Sequence, residues 1–296
     1  MTSLLITGGT GFIGRNLAQY LGSRYAVAAP SSAELDLCDA RRVEDYLDAN
    51  HFDVIVHAAT TRSNRRHPAS SDLLNLNCRM FFNLARNQDK FGKLIHFGSG
   101  AEYERTGLPA PVRESYFDTQ VPSDPYGFSK YICAKYIERA RNLVDLRLFG
   151  VFGKYEDATV RFISNACCRV IAGLPIVMRQ NVEFDYLYVD DLAEITAWFV
   201  DHDASHRAYN VCTGRTNSLL DLAAMVKEVS GKNPEICVRQ GGLGPEYSGD
   251  NSRLLTTMGG YDFRDVRSAV AELYDWYRDH TELFDIESLR FDEQSR

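Results

Sequence analysis

The sequence predicts an α/β protein built on a doubly wound parallel sheet, with a smaller and irregular α/β lobe formed by later segments. The chain opens with an apolar strand, residues 3–7, which runs through regularly spaced glycines into a helical pattern. Continuous apolar runs, such as 52–59 and 93–97, then alternate with amphipathic helical segments, as in a parallel sheet covered by helices. Beyond residue 153 this regularity decreases, which indicates a second unit.

These observations predict a division of the chain into two interleaved units and a tail. The sheet domain is expected at 1–153 and is completed by about 180–213. The C-terminal substrate lobe is expected at 154–179 and 214–288, and 289–296 are expected to form a frayed tail.

The glycine-rich turn predicts a Rossmann dinucleotide-binding site. Gly8 permits a tight turn, Gly11 lets backbone N–H groups approach a pyrophosphate at the positive end of the first helix, and Gly14 lets that helix pack closely on the strand. We therefore assign cofactor binding to this turn, namely to Gly8, Gly11, Phe12, Ile13 and Gly14.

The end of the second strand, residues 25–29, bears on the choice of cofactor. An NAD-preferring domain usually carries Asp or Glu there, whereas this strand ends in Pro30-Ser31-Ser32 and has no carboxylate before Glu34. Ser31, Ser32 and Arg15 could donate hydrogen bonds to a 2′-phosphate. This pattern favours NADP(H), with NAD(H) as the alternative if the serines only cap the next turn.

The remaining elements follow from periodicity and from helix-start signals. Asp72–Gln88 carries one apolar stripe, and Ser123-Asp124-Pro125 announces a helix that runs to about residue 141. A loop is predicted at 108–125, and a second loop is predicted for the glycine-rich stretch 239–250. The other predicted segments are helices at 41–50, 160–173 and 190–200 and strands at 142–151, 182–188 and 208–211.

Three residues form a candidate proton-transfer group. Tyr126 lies in the first turn of a predicted helix, and Lys130 lies one turn later on the same face. An ammonium group and the positive helix end both favour the phenolate, which suits a tyrosine acid–base catalyst. Ser99 follows a parallel strand and is placed to hydrogen-bond the reacting oxygen. Tyr131 and Lys135 repeat the spacing on another face and are interpreted as structural.

Composition narrows the classes of function. A net charge of −7 argues against a nucleic-acid partner or a membrane surface. No apolar run approaches the roughly 20 residues of a membrane span, and no signal peptide precedes the first strand. Seven cysteines without a Cys-x-x-Cys motif predict reduced thiols in a cytoplasmic protein and no metal site.

With Ser99, Tyr126 and Lys130, the chain resembles the extended short-chain dehydrogenases/reductases of the nucleotide-sugar epimerase/dehydratase group. The likeness extends almost from end to end. It includes Asp36-x-x-Asp39, His57-Ala58-Ala59, and later Arg147-Leu148-Phe149-Gly150, Asp185-Tyr186 and Tyr209-Asn210-Val211. The resemblance implies that Asp39 meets the adenine, that His57, Ala58, Ala59 and Asn77 line the cofactor, and that Lys130 grips the nicotinamide ribose.

The resemblance also implies a partner and an assembly. The lobe would cover a nucleoside diphosphate-linked sugar, with Thr61 in the substrate site, and helices 72–88 and 124–141 would pair in a homodimer. Many members carry Arg where this chain has Phe184, so we assign the diphosphate to Arg179, Arg239 or Arg253.

Departures from the family pattern narrow the reaction. Family dehydratases carry an Asp–Glu pair where this chain has Gly100 and Ala101, and GDP-fucose synthase uses a Cys at the position of Ala101 together with a His. We therefore expect reduction of the 4-keto group of a nucleotide-linked 4-keto-6-deoxy sugar with NADPH. The alternatives are an NAD-dependent nucleotide-sugar 4-epimerase and a non-catalytic NADP(H) sensor.

Overall fold

The computed structural model describes residues 1–61 and 72–295, with side chains as far as Arg290. Its centre is a six-stranded parallel sheet in the order β2-β1-β3-β4-β5-β9. These strands are β1 (Ser3–Thr7), β2 (Ala26–Ala28), β3 (Phe52–His57), β4 (Phe91–Ser99), β5 (Leu143–Leu148) and β9 (Ala208–Val211). The predicted doubly wound parallel sheet is confirmed.

Helices cover both faces of this sheet, and two apolar cores lie beneath them. One core holds Leu4, Ile6 and Leu146, and the other holds Leu5, Ile55 and Leu94, because successive residues of a strand point to opposite faces. The covering helices are α1 (Phe12–Leu21), α2 (Ala40–Ala49), α3 (Leu73–Ala85), α4 (Pro125–Ile137) and α6 (Val189–Asp201).

The second unit has a separate core around α5 (Phe162–Ile171), α7 (Leu219–Ser230) and α9 (Val266–Asp279). Two small sheets accompany these helices. One contains β6 (Gly150–Phe152), β8 (Glu183–Tyr188) and β10 (Thr216–Ser218), and the other pairs β7 (Ile176–Asn181) with β11 (Ile236–Leu243).

Two predicted segments differ from the structure near this second unit. The predicted strand 142–151 is two strands, since β5 belongs to the large sheet and β6 to a small one. The predicted loop 239–250 begins as the second half of β11. Sequence pattern misses this strand because β11 is exposed from Val238 to Leu243 and lacks an alternation of buried and exposed residues.

The C-terminal segments also differ from expectation. After α8 (Ser252–Met258), Leu254 and Phe263 pack into the core of the large sheet, although 214–288 was assigned to the lobe. The fraying expected from residue 289 is not seen at its start, because α10 (Ile286–Ser295) begins before it and Leu289 is fully buried in the lobe core. The Leu289 carbonyl oxygen accepts a 2.9 Å hydrogen bond from Arg169.

Candidate active site and cofactor cradle

The turn between β1 and α1 has the tight backbone that its glycines predict. Gly8 has a φ of +72°, and a Cβ there would lie 2.8 Å from the backbone nitrogen of Ala59. A Cβ on Gly14 would lie 2.2 Å from the Gly8 carbonyl oxygen. Gly11 precedes α1 and has no side chain to cap its first N–H groups, and the first turn holds no acidic residue. This cradle fits the pyrophosphate of a dinucleotide.

The end of β2 has a feature that the sequence did not reveal. The carboxylate of Glu34 folds back and accepts hydrogen bonds from both the backbone nitrogen and the hydroxyl of Ser31, each at 2.8 Å. These bonds lower the pKa of Glu34. Ser31 is thus already bonded to a carboxylate, Ser32 is exposed, and the Arg15 guanidinium lies 3.7 Å above the ring of Tyr155.

Two residues assigned to the cofactor have local structural contacts. Asp39 caps α2 by accepting from the backbone nitrogens of Arg41 and Arg42. Asn77 holds the segment after β3, because its side chain accepts from the backbone nitrogen of Thr61 at 2.7 Å and donates to the Thr61 carbonyl at 3.0 Å.

His57 lies beneath the site rather than on its surface. Its ring is 2 % exposed, and its Nδ1 lies 2.8 Å from the Thr7 hydroxyl. Burial, together with the charge of Lys130, lowers the pKa of His57 to about 3, so the ring is neutral. Ala58 and Ala59, which follow it, are half-buried at the carboxyl edge of the sheet.

The predicted catalytic residues come together where β4 and α4 meet. Ser99 ends β4, and its hydroxyl accepts from the backbone nitrogen of Ala101 at 3.1 Å. Tyr126 lies in the first turn of α4, where Asp124 caps its backbone nitrogen at 3.1 Å. Lys130 lies one turn later, is 5 % exposed, and donates a 2.7 Å hydrogen bond to the carbonyl oxygen of Phe97.

Ser99 and Tyr126 line a cavity of about 790 Å³ between the large sheet and the lobe. Arg179 lines this cavity, as the diphosphate assignment requires. Arg239 and Arg253 do not line it: Arg239 is exposed on β11, and Arg253 donates to the Ala208 carbonyl at 2.9 Å. Thr61 is likewise not among the described residues that line the cavity.

Sequence reasoning missed several cavity residues, among them Tyr247, Arg105 and Arg161. Tyr247 is buried close to Ser99 and Arg105, and burial raises its pKa, so it stays a neutral hydroxyl. The guanidinium of Arg105 lies 4.7 Å above the Tyr247 ring. Arg161 lines the other part of the cavity with Glu156, whose carboxylate lies 3.8 Å away. Tyr247 and Arg105 reach the cavity from irregular segments, where spacing gives no signal, whereas Arg161 lies at the start of the predicted helix 160–173 and directly precedes α5.

Comparison with known proteins agrees with this fold. A sequence model of the NAD dependent epimerase/dehydratase family matches residues 4–212, and the chain belongs to this family. Its members are NAD(P)-dependent nucleotide-sugar enzymes of the extended short-chain dehydrogenase/reductase type, so the predicted enzyme class is confirmed.

The chain is similar to three proteins that are nucleotide-sugar enzymes by name. A GDP-6-deoxy-D-talose 4-dehydrogenase from Aggregatibacter actinomycetemcomitans is 27% identical over 292 residues, which covers 92% of this chain and 96% of that protein. UDP-glucose 4-epimerase from Thermotoga maritima, solved with UDP-glucose, superposes with a TM-score of 0.82 at 20% identity, covering 95% and 100% of the two chains. A GDP-mannoheptose C4 reductase from Campylobacter jejuni, solved with NADP, gives 0.79 at 19% identity over 94% and 98%.

The part of the chain that the structure describes contains no helix long and apolar enough to cross a membrane. Within the same residues, no cluster of three or more His, Cys, Asp or Glu side chains could hold a metal ion.

Proposed function

We propose that this protein reduces the 4-keto group of a nucleotide-diphosphate-linked 4-keto-6-deoxy sugar with NADPH. The observation that carries the proposal is the composition of the cavity around Ser99 and Tyr126. Among the described residues that line it there is no Cys or His, and the one carboxylate, Glu156, is bonded to the Ser164 hydroxyl at 2.7 Å. Carbon–hydrogen deprotonation, which epimerisation at C3 or C5 and dehydration both need, therefore lacks a free carboxylate, thiol or imidazole base among the described residues of the cavity.

Reduction of a carbonyl needs only what the cavity offers. The reduced nicotinamide supplies a hydride when bound, and the Gly8–Gly14 turn and Lys130 are the residues that would hold the cofactor. Tyr126 donates its phenolic proton to the oxygen that gains charge, and Ser99 orients that oxygen. The ammonium of Lys130 stabilises the phenolate left on Tyr126. Tyr247 offers a third hydroxyl to the sugar.

The opposite part of the cavity suits a diphosphate. Arg161 and Arg179 both line it, and guanidinium groups pair well with phosphate oxygens. Thr61, Arg239 and Arg253 are not needed for this role. The names of two similar proteins, a GDP-6-deoxy-D-talose 4-dehydrogenase and a GDP-mannoheptose C4 reductase, support chemistry at C4 of a GDP-linked sugar.

One observation favours a second candidate, an NAD-dependent nucleotide-sugar 4-epimerase. The Glu34 carboxylate lies at the end of β2, where it would repel a 2′-phosphate and could accept ribose hydroxyls. A 4-epimerase uses the same Ser99, Tyr126 and Lys130 to oxidise a sugar and reduce it on the other face.

Cofactor consumption separates the two candidates. Purified protein is incubated with GDP-, dTDP- and UDP-linked 4-keto-6-deoxy sugars and NADPH or NADH, with Tyr126→Phe beside wild type. The reductase consumes one NADPH per sugar, and Tyr126→Phe loses about 10²- to 10⁴-fold in kcat. Interconversion of nucleotide-hexoses with no net cofactor use would instead establish the epimerase.

Tyr131→Phe is the matched control for this experiment. Tyr131 lies on the same helix and also precedes a lysine by four residues, but its hydroxyl donates to Asp118 outside the cavity. This variant should keep wild-type kcat. Cofactor binding without turnover, unchanged in Tyr126→Phe, would favour a sensor instead.

Three further expectations stay predictions: a homodimer formed through α3 and α4, a cytoplasmic location, and no nucleic-acid or membrane partner. In this chain α3 and α4 pack side by side. Sedimentation at several protein concentrations would measure the assembly state.

A further inference from the structure

Three charged side chains are almost completely buried directly behind Ser99. Glu102, Asp145 and Arg147 are 0 %, 1 % and 2 % exposed. The Nε of Arg147 lies 2.7 Å from Oε2 of Glu102 and 3.1 Å from Oδ2 of Asp145. One guanidinium thus serves two carboxyl groups. An uncompensated buried charge is costly, so the second carboxyl needs another means of neutralisation.

The remaining oxygens of the two carboxyl groups face each other. A Cβ placed on Gly98 would lie 2.2 Å from Oδ1 of Asp145 and 2.2 Å from Oε1 of Glu102, so both oxygens crowd the same point. Within residues 1–61 and 72–295, Oδ1 of Asp145 receives no hydrogen bond. Two ionised oxygens would repel each other there, whereas one proton between them makes a hydrogen bond.

The titratable groups around the pair allow the two carboxyl groups to retain one proton. Burial, the largest influence on each, raises the pKa of both carboxyl groups. From α4, the charge of Lys130 lowers the pKa of Asp145, but by less than burial raises it, and Lys130 donates its hydrogen bond to the Phe97 carbonyl. Tyr103 and Cys133 also face the carboxyl pair. Burial raises the pKa values of both, so both side chains remain neutral, and the charge of Glu114 raises the pKa of Tyr103 further.

We propose that Glu102 and Asp145 share one proton, and that Glu102, fixed in this way, is a positioning residue for Ser99. Its Oε1 accepts the backbone N–H of Ser99 at 2.9 Å, while the Ser99 hydroxyl accepts from Ala101 in the same turn. The shared proton and Arg147 hold the Glu102 carboxyl from both sides. The role in catalysis rests on the proposed function of Ser99, whereas the shared proton does not.

The geometry predicts unequal effects of the two amide substitutions. In Asp145→Asn the amide nitrogen can replace the protonated oxygen and donate to Glu102, while its oxygen still accepts from Arg147. In Glu102→Gln the amide nitrogen must face either the Ser99 N–H or the Nε of Arg147. Both orientations set a donor against a donor, which leaves one buried group unsatisfied.

The kinetic test compares both variants with wild type, with Asp191→Asn as the control. Asp191, on α6, is also a buried carboxylate with a pKa raised by burial. It lies outside the cavity and accepts hydrogen bonds from the Tyr261 hydroxyl and the Arg264 backbone nitrogen. We expect Glu102→Gln to lose about 10- to 100-fold in kcat with unchanged NADPH affinity. Asp145→Asn and Asp191→Asn should keep wild-type kcat. A wild-type kcat in Glu102→Gln would overturn the positioning role.

The pH profile provides a second kinetic readout should Glu102→Gln fail to fold. In wild type, loss of the shared proton at high pH lowers kcat beyond the loss that comes from the proton donor Tyr126, and Asp145→Asn lacks this additional fall because its amide cannot ionise. The same profile for both proteins would also overturn the positioning role.

The proton itself is measured without any substrate, so this test stands even if the proposed reaction fails. Above pH 5 the unfolded chain ionises both carboxyl groups, whereas the folded protein retains one proton. Unfolding of wild type therefore releases one proton more than unfolding of Asp145→Asn, and its unfolding free energy falls more steeply as pH rises from 5 to 8. Urea unfolding at several pH values measures this. Equal slopes, or an Asp145→Asn variant that does not fold, would overturn the shared proton.

Discussion

The Nζ of Lys130 donates a 2.7 Å hydrogen bond to the carbonyl oxygen of Phe97, two residues before Ser99 on β4. This bond joins α4, which carries Tyr126, to the strand that carries Ser99, the residue proposed to orient the reacting oxygen. Because Lys130 is 5 % exposed, its side chain is held in one place by packing as well as by the hydrogen bond. The ammonium is therefore positioned before any ligand arrives.

Lys130→Met should lower kcat by about 10²-fold or more and weaken cofactor binding, because it removes the charge that stabilises the Tyr126 phenolate. It also leaves the Phe97 carbonyl without its donor, which should cost about 1–3 kcal/mol of unfolding free energy. Steady-state kinetics, fluorescence titration with NADPH and urea unfolding measure these effects.

Lys135→Met is the matched control for this change. Lys135 lies on the same helix and pairs at the surface with Asp118 and Glu138, and such pairs contribute about 0–1 kcal/mol. Its kcat should equal that of wild type. Equal losses in both variants would mean that Lys130 acts through helix stability alone.

Glu34→Ala should shift cofactor preference toward NADPH. The substitution removes a carboxylate that would repel a 2′-phosphate, and it releases the Ser31 hydroxyl to donate to that phosphate. We expect the ratio of kcat/KM for NADPH to that for NADH to rise about tenfold, which corresponds to about 1.4 kcal/mol. Asp45→Asn, an exposed change of charge on α2, should leave the ratio unaltered. An unchanged ratio in Glu34→Ala would mean that Glu34 does not face the 2′ position.

Leu289→Ala tests whether α10 is an integral part of the lobe. Leu289 is fully buried, so truncation should lower the unfolding free energy by about 2–5 kcal/mol. Leu283 precedes α10 and is 47% exposed, and Leu283→Ala should cost less than about 0.5 kcal/mol. If urea unfolding gave equal and small costs for both, residue 289 would lie in a frayed tail after all.

His57 and His96, which are buried, should make the fold less stable in acid. His57 has a pKa of about 3, and that of His96 lies well below its usual value, in each case mainly because of burial. Below pH 6.5 the unfolded chain binds protons that the folded protein does not, so the unfolding free energy falls as pH falls. Each histidine contributes up to about 1.4 kcal/mol per pH unit.

His96→Phe should remove one of these protons. Neither ring nitrogen of His96 is hydrogen-bonded within the described residues, and the ring already packs against Phe81, so phenylalanine suits the site. Urea unfolding between pH 5 and 7 should show a shallower slope in this variant, and the slope should stay unchanged in His51→Gln, because the His51 side chain is 81% exposed. A wild-type slope in His96→Phe would contradict a neutral, buried His96.

Much of the sheet domain could be predicted because its signals are local. Residue type alone indicates a close backbone approach in the glycine turn and buried strands at 52–59 and 93–97. The meeting of Ser99, Tyr126 and Lys130 was also predictable, since the ends of parallel strands and the helix starts after them share one edge of a sheet.

The parts that were missed depend on contacts between distant segments. Glu34 lies only three residues after Ser31. Its hydrogen bond with the Ser31 hydroxyl nevertheless depends on the geometry of the turn between them, which the two serines do not specify. Tyr247 and Arg105 come from stretches without periodicity, so nothing in their spacing places them beside Ser99. β11 was missed because an exposed strand carries no pattern of burial.

The passage from β5 to β6 has a consequence for motion. Only Phe149 separates Leu148, which is paired on both sides in the large sheet, from Gly150, which is paired with Tyr186 in the small one. A hinge needs backbone dihedral angles that can change freely. At this crossing only Phe149 lies between paired residues, so only its dihedral angles are available. We expect the lobe to turn little here, so that ligands enter through displacement of the irregular segments 104–107 and 157–161 while the two sheets keep their mutual orientation.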